Sequence, residues 1–190
     1  MYIKKQHIRI LRIVGIISLL IWMYVIYSFS SDSGNTSSAL SGNVVKMFYQ
    51  IIEIFTGKDL YQMLSATHLD MVQHVFRKLA HMFIFFVLSV NAMCIMFTFP
   101  LKMYIRIFIA LTFSFAYACF DEFHQLFVAG RAGQFRDVLI DTSGALIGII
   151  FSLLLYCVIF TIYEKHMAKK YGAIDVSNQK EYYQQHGVLD

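Results

Sequence analysis

Charged residues are scarce in this chain of 190 residues, where Asp, Glu, Lys and Arg together account for 15% of the sequence. Soluble proteins average about 25%. Hydrophobic residues make up 58%, and proline occurs once. A water-soluble domain could not bury this much apolar surface, so the composition excludes the soluble class and favours a single domain embedded in a membrane.

Cysteine is also sparse, and the spacings that mark many enzyme and metal centres are missing. The three cysteines, Cys94, Cys119 and Cys157, all lie in apolar runs without paired spacing, which predicts reduced packing residues rather than a disulfide or zinc framework. The sequence has no HExxH, CxxC or EF-hand pattern, no glycine-rich phosphate loop and no nucleophile elbow. The basic residues form no nucleic-acid face. These absences argue against dinucleotide and DNA binding.

Four long apolar runs are present, and a helix needs roughly 20 such residues to cross a bilayer. We therefore predict an all-α integral membrane protein, a bundle of four transmembrane helices at Ile13–Phe29, Leu79–Phe99, Met103–Phe120 and Val138–Tyr163. The first run follows basic residues and resembles a signal peptide, but it is long and no clear cleavage site follows, so we interpret it as an uncleaved span. Pro100 marks a turn, and we expect the Arg106 side chain to reach back to it.

The basic residues are distributed unevenly about these spans. With four spans both termini lie on one side, and that side carries ten of the sixteen Lys and Arg residues. The positive-inside rule predicts that this side is the cytoplasm. Residues 1–166 then form the transmembrane domain, and residues 167–190 form a polar cytoplasmic tail. The segment Ser31–Lys78 and the loop Phe123–Arg136 are expected outside.

The outer segment between the first two spans has two parts. Its first part, Ser30–Gly42, is rich in Ser, Gly and Asn, which predicts a loop. The second part, Val44–Phe55, is apolar except for a polar stripe at helical spacing formed by Lys46, Gln50 and Glu53. This pattern predicts an extra amphipathic helix at the membrane interface or packed on the bundle.

Polar residues also recur at helical spacing at the predicted outer ends of the last three spans. One stripe leads into the second span, with Asp70, His74, Arg77 and His81. A second stripe ends the third span, with Ser114, Tyr117, Asp121 and His124 or Gln125. A third stripe opens the fourth span, with Asp137, Asp141, Gly144 and Gly148. The two glycines favour close helix packing, which would direct Asp141 into the bundle.

An ionisable group near the hydrocarbon is costly and usually faces the protein interior beside a partner. Polar side chains of three stripes at one depth can form hydrogen bonds and ion pairs with one another. The loop Val128–Gln134 adds Arg131 to them. We therefore predict one polar site near the outer leaflet. Its candidate catalytic residues are His81, Glu122 and Asp137. Its candidate binding residues are Arg77, Lys78, Asp121, His124, Gln125, Arg131 and Asp141.

These residues allow a structural and a chemical interpretation. His81 can be a buried helix residue bonded to a carboxylate, or a ligand or proton-transfer group, because imidazole titrates near neutral pH. Asp137 and Asp141 can pair with basic neighbours, or can hold a cation or share a proton. A divalent cation is one option, and the side chains of suitable type are His81, Glu122, His124, Asp137 and Asp141.

The order and spacing of these motifs resemble the VanZ-like membrane protein family. The likeness covers roughly residues 20–155 and rests on Arg77-Lys78-Leu79-Ala80-His81, Asp121-Glu122-Phe123-His124-Gln125, Gly130-Arg131 and the stretch Asp137–Gly148. The resemblance implies a multi-pass protein of the bacterial cell membrane. It also implies an association with low-level resistance to teicoplanin and other glycopeptides, and it supplies no catalytic mechanism.

The sequence leaves three functions open. The polar site could bind a lipid headgroup or a lipid-linked cell-wall precursor without chemistry. It could instead belong to a membrane-embedded enzyme acting on such a lipid by acid–base or cation-assisted chemistry. A proton-coupled carrier ranks last, because four spans are few and no repeat is visible. The sequence predicts no nucleic-acid partner and does not determine the oligomeric state.

Overall fold

The computed structural model describes residues 5–57 and 60–171, and these ranges contain six α-helices and no strand. In chain order the helices are α1 (Lys5–Ser31), α2 (Gly34–Thr56), α3 (Leu60–Met63), α4 (Ala66–Met96), α5 (Met103–Gln125) and α6 (Phe135–Tyr171). Each long helix extends beyond the apolar run that predicted it, except that α4 ends at Met96 and a turn follows.

Four of these helices, α1, α4, α5 and α6, are long and apolar enough to cross a membrane. Their outward faces carry large apolar side chains such as Val14, Leu20 and Phe108, which are 58–69% exposed. Lipid tails are as apolar as these side chains, so a membrane helix has no need to bury them against protein. The predicted all-α membrane architecture with four spans is confirmed.

The chain divides into two compact units, the first ending at Phe151 and the second beginning at Ser152. The core, the cavities and the predicted site residues all belong to the first unit. The polar tail predicted for residues 167–190 lies mostly outside the described residues, and residues 167–171 continue α6.

A small apolar core joins the four spans in the first unit. Its buried members are Ile26, Phe85, Leu88, Ala118 and Val138. Two hydrogen bonds link neighbouring helices beside this core: Trp22 Nε1 donates to the Ile84 carbonyl at 2.8 Å, and the Tyr117 hydroxyl donates to the Met23 carbonyl at 2.6 Å. These contacts fix α1 against both α4 and α5.

The two glycines near the start of α6 lie against the backbone of α4. A Cβ atom on Gly144 would overlap the Met82 carbonyl, and one on Gly148 would overlap the Phe86 carbonyl and the Ser89 hydroxyl. Only glycine allows the helices to approach this closely. The contact turns the Asp141 side of α6 towards the interior, where that side chain is buried.

The amphipathic helix between the first two spans is longer than predicted. The loop prediction for Ser30–Gly42 is wrong, because α1 continues to Ser31 and α2 begins at Gly34. The hydroxyl groups of Ser38 and Ser41 donate to carbonyls of their own helix at 2.8–3.0 Å. Serine can satisfy itself within a helix in this way, so a serine-rich composition does not exclude one when the helix packs on a neighbour, as α2 does on α4.

Two arginines hold the turn between α4 and α5, at the end of the bundle opposite the polar stripes. Arg12 donates from its Nη2 to the Thr98 carbonyl at 2.6 Å and from its Nε to the Thr98 hydroxyl at 3.1 Å. Arg106 donates to the Phe99 carbonyl at 2.9 Å, as its predicted reach towards this turn requires.

Replacing Arg12 with Gln is expected to lower the free energy of unfolding by about 2 kcal/mol, because the turn loses charge-assisted hydrogen bonds. Arg9→Gln is the matched control, since Arg9 is exposed one turn earlier on the same helix. It should change that free energy by less than about 0.5 kcal/mol. Chemical unfolding in detergent micelles, followed by circular dichroism, measures the free energy of unfolding of both variants. Equal effects would contradict the role of Arg12 in holding the turn.

Candidate functional site

A polar cavity of about 250 Å³ lies where the C-terminal end of α5, the start of α6 and the middle of α4 meet the α5–α6 loop. We call it the polar cavity. Its lining is formed by His74, Arg77, Lys78, His81, Glu122, Gln125, Gly130, Arg131, Ala132, Gln134, Asp137, Ile140 and Asp141. The three polar stripes of the sequence therefore contribute to one space.

The α5–α6 loop is held in place by backbone contacts at two glycines. Gly130 has a φ of 73°, a left-handed conformation that favours glycine, and its backbone lies against Gly34 at the start of α2. The Gly34 N–H donates to the Ala129 carbonyl at 3.1 Å. A Cβ on Gly133 would overlap the Glu122 carbonyl. The loop is thereby seated on α2 and α5, with Arg131 between its two anchor points.

Arg131 connects the loop to the end of α1. Its Nε donates to the Asp32 carbonyl at 3.1 Å, one Nη to the Phe29 carbonyl at 3.2 Å and the other to the Gln125 side-chain oxygen at 3.4 Å. Partial burial and the positive charge of nearby Arg77 lower the pKa of Arg131 from its usual value, although a guanidinium stays charged in proteins. Arg131 is thus both a structural tie and a fixed positive charge.

Two neighbouring carboxylates at the end of α5 point in different directions. Asp121 accepts a hydrogen bond from Gln125 Nε2 at 3.0 Å, and Glu122 accepts one from the Gln134 backbone N–H at 2.8 Å. Consecutive helix residues are about 100° apart, so one faces the bundle centre and the other faces the loop. Both are buried.

The two carboxylates of α6 have different surroundings. Asp137 forms an ion pair with Lys78. Asp141 is 1% exposed, and neither of its carboxylate oxygens has a hydrogen-bond partner among the described residues. The nearest basic nitrogen, Nδ1 of His81, lies 3.9 Å from Asp141 Oδ1, which is too far for a hydrogen bond. Burying a polar group in this way is costly unless something satisfies it.

His81, Asp121 and Asp141 come together from three different helices. One nitrogen or oxygen of each lies within 4.8 Å of the others. Imidazole and carboxylate are ligand types that divalent transition metals accept. Of the candidate ligands named from the sequence, His81 and Asp141 belong to this group, whereas Glu122, His124 and Asp137 lie outside it. The third member, Asp121, is among the candidate binding residues.

The structure brings most of the predicted site residues together. Eight of them line the polar cavity, namely Arg77, Lys78, His81, Glu122, Gln125, Arg131, Asp137 and Asp141. Asp121 does not line it and is buried. His124 points towards α1, where its ring lies 4.6 Å from the Tyr27 ring and its Nε2 lies 3.1 Å from the Ser31 hydroxyl. It therefore serves a helix contact.

Two features of this region have no counterpart in the sequence predictions. Ser30 is fully buried close to the Asp121 carboxylate. The helical spacing of Ile26 and Ser30 puts both on one side of α1, and the structure shows that this side is buried. The second feature is a largely apolar groove of about 620 Å³ between α1, α2 and α4. We call it the apolar groove, and no local pattern could indicate it because three helices form its walls.

The apolar groove adjoins the polar cavity. Its lining includes apolar side chains of α1, α2 and α4 and also Arg77, His81 and Arg131, the three residues that it shares with the polar cavity. A positively charged boundary thus separates a polar space from an apolar one.

A family model described as VanZ/LLP1 matches residues 15–160. The chain belongs to the VanZ/LLP1 family. The match contains every residue that lines the polar cavity and the apolar groove, and with the four apolar helices it makes this VanZ/LLP1 chain a multi-pass membrane protein. The searches of curated proteins and of solved structures found no match.

Proposed function

We propose that this VanZ/LLP1 protein binds an amphiphile with an anionic headgroup. The headgroup would occupy the polar cavity, and the hydrocarbon chain would lie in the apolar groove. The observation that carries this proposal is the position of Arg77 and Arg131, which line both spaces. In an amphiphile the phosphate stands at the corresponding boundary between its polar and apolar parts.

The bonding of the two arginines supports a role for Arg77 in phosphate binding. Arg77 donates from one Nη to the Ser38 hydroxyl at 2.8 Å, while its buried Nε has no hydrogen-bond partner among the described residues. Arg131 already bonds three oxygens but still adds positive charge. Hydrogen bonds from guanidinium to phosphate are charge-assisted and strong.

A phospholipid and a lipid-linked cell-wall precursor both have a phosphate joined to a long hydrocarbon chain. The excess of basic residues on the side of the termini favours an extracytoplasmic position for the polar cavity in a bacterial cell membrane. The family association with teicoplanin resistance favours a ligand from the cell envelope. The proposed site would then hold such a lipid at the outer leaflet.

Arg77→Gln is expected to weaken binding of a phosphate-bearing lipid by roughly 10- to 100-fold, the cost of losing a charge-assisted hydrogen bond. Arg136→Gln is the control, because Arg136 is exposed and lines neither the polar cavity nor the apolar groove. Microscale thermophoresis of the purified protein in detergent, titrated with phosphatidylglycerol, undecaprenyl phosphate or diacylglycerol, measures the affinities.

The three probes separate the possible sources of the ligand. Preference for phosphatidylglycerol indicates a phospholipid, and preference for undecaprenyl phosphate indicates a wall precursor carrier. If diacylglycerol, which lacks phosphate, binds as tightly as either, the proposed headgroup site is wrong.

A second candidate function is catalysis on the same lipid. It is favoured by the position of His81, with Nδ1 3.9 Å from the buried Asp141 carboxylate, and by Glu122 and Asp137 in the cavity wall, which is more acid–base capacity than binding needs. Mass spectrometry of the probe lipids after incubation tests it. An enzyme would convert the lipid to a product, and His81→Gln would abolish this conversion while retaining lipid binding. An unchanged lipid would exclude catalysis and leave binding as the function.

A further inference from the structure

Three spans contribute one potential metal ligand each to a small volume in the bundle. The ligand atoms of His81, Asp121 and Asp141 lie within 4.8 Å of one another. Around a tetrahedral ion with bonds of about 2.1 Å, ligand atoms stand roughly 3.4 Å apart. To bind one ion, the three side chains would have to shorten separations of up to 4.8 Å to that spacing.

Asp141 lacks the partner that a buried carboxylate requires. Both of its oxygens are buried without a hydrogen bond from the described residues, and His81 Nδ1 is 3.9 Å away. The basic groups around it have other partners, since Lys78 pairs with Asp137 and Arg131 bonds the end of α1. A buried carboxylate is stabilised by a charge partner or by a metal ion, or else it binds a proton and becomes neutral.

Asp121 is already oriented as a metal-binding carboxylate usually is. Gln125 donates to its Oδ2 at 3.0 Å, and the Ser30 hydroxyl lies beside the same carboxylate. Hydrogen bonds of this kind from a neighbouring side chain fix the direction of ligating carboxylates. The amide would therefore hold Asp121 in position without competing for the ion.

The charge of the region also admits a cation. With all four carboxylates ionised, Asp121, Glu122, Asp137 and Asp141 contribute four negative charges, and Arg77, Lys78 and Arg131 contribute three positive ones, which leaves one negative charge when His81 is neutral. A divalent ion would make the region positive by one charge. Because His81 and Asp141 line the polar cavity, open coordination positions would face it.

We infer that His81, Asp121 and Asp141 bind one divalent transition-metal ion, of the Zn²⁺ or Mn²⁺ class, at the inner wall of the polar cavity. The imidazole ligand favours Zn²⁺ over Mg²⁺ and Ca²⁺, and the two carboxylates also suit Mn²⁺. The three protein ligands leave a coordination position for a ligand oxygen. A phosphate oxygen of the amphiphile would occupy this position, a step that rests on the proposed function.

Metal analysis of the purified chain tests the inference. The protein is stripped with EDTA in detergent without added lipid, dialysed against ZnCl₂ or MnCl₂, and analysed by plasma mass spectrometry. We expect one ion per chain, a higher unfolding temperature with the ion than without it, and weak binding of Mg²⁺. Asp141→Asn should weaken the affinity on the order of 100-fold or more, because it removes a ligand.

His81→Gln provides a second, independent variant in case Asp141→Asn does not fold. Asp70→Asn is the control, since Asp70 is an exposed carboxylate on the same helix as His81. It should bind the ion as the unsubstituted chain does. The inference is overturned if the unsubstituted chain holds no stoichiometric ion, or if the Asp141 and His81 variants bind the ion as tightly as the unsubstituted chain does.

This experiment is independent of the lipid assay. A chain that binds the amphiphile but no metal would remove the metal site and leave the proposed function intact. A chain that binds the metal but none of the probe lipids would remove the proposed function and leave the metal site intact. If the chain binds both the metal and the amphiphile, the ion should strengthen binding of undecaprenyl phosphate or phosphatidylglycerol but not of diacylglycerol.

Discussion

Gly144→Ala is expected to lower the free energy of unfolding by about 3 kcal/mol, because overpacking a close contact costs that much when the obstacle cannot move. The added Cβ would overlap the Met82 carbonyl, and a backbone carbonyl within α4 can give way only if the two helices separate. Separation would also displace Asp141, one turn earlier on α6, from its position beside His81.

The same substitution at Gly42 is expected to have the opposite sign. A Cβ there would stand 3.5 Å from the Gln73 amide, an ordinary van der Waals distance. Alanine inside a helix is about 0.5–1 kcal/mol better than glycine, so Gly42→Ala should raise the free energy of unfolding. Chemical unfolding in detergent micelles measures the pair. Equal effects would show that α4 and α6 do not approach each other as described.

Arg131→Ala is expected to lower the free energy of unfolding by about 3 kcal/mol, because three oxygens lose a charged donor. Two of these oxygens are backbone carbonyls of Phe29 and Asp32, where α1 ends. The substitution should therefore loosen the junction between the end of α1 and the α5–α6 loop. Thermal unfolding and the rate of proteolysis within the loop both report this change.

Two further substitutions separate the shape of Arg131 from its charge. Arg131→Lys keeps the charge but loses the planar fork of donors, so it should recover less than half of the lost stability. Arg136→Ala, in the exposed first turn of α6, should change the stability by less than about 0.5 kcal/mol. If Arg131→Lys restores full stability, the hydrogen-bond geometry described for Arg131 is not what holds the loop.

The spans could be predicted from the sequence because length and hydropathy are local properties. α5, for example, follows Lys102 and contains an apolar run long enough to cross the bilayer, and the structure begins it at Met103 as predicted. The helical spacing of Asp137, Asp141 and Gly144 likewise placed them on one side of α6. The resemblance to the VanZ-like family is confirmed by the match over residues 15–160.

The prediction of a loop at Ser30–Gly42 was wrong because the local composition favours a loop, whereas the tertiary contacts favour a helix. Serine and asparagine compete with helical hydrogen bonds in an isolated peptide. In the protein, the Ser33 hydroxyl accepts from the Thr36 N–H and caps α2, and Ser41 is buried where α2 packs. The cap at Ser33 and the packing of α2 on α4 decided the conformation.

The sequence by itself determined the class of this protein, its four spans, its family and the set of polar residues from which the site is built. Each of these follows from composition, periodicity or motif order along the chain. Only the tertiary structure decided which of these residues meet. It placed Asp121 beside His81 and Asp141, turned His124 away to α1, and opened an apolar groove next to the charged cavity. The physical reason is that spacing along a helix fixes which residues share a side, whereas the rotation of each helix depends on close packing between helices, as at Gly144.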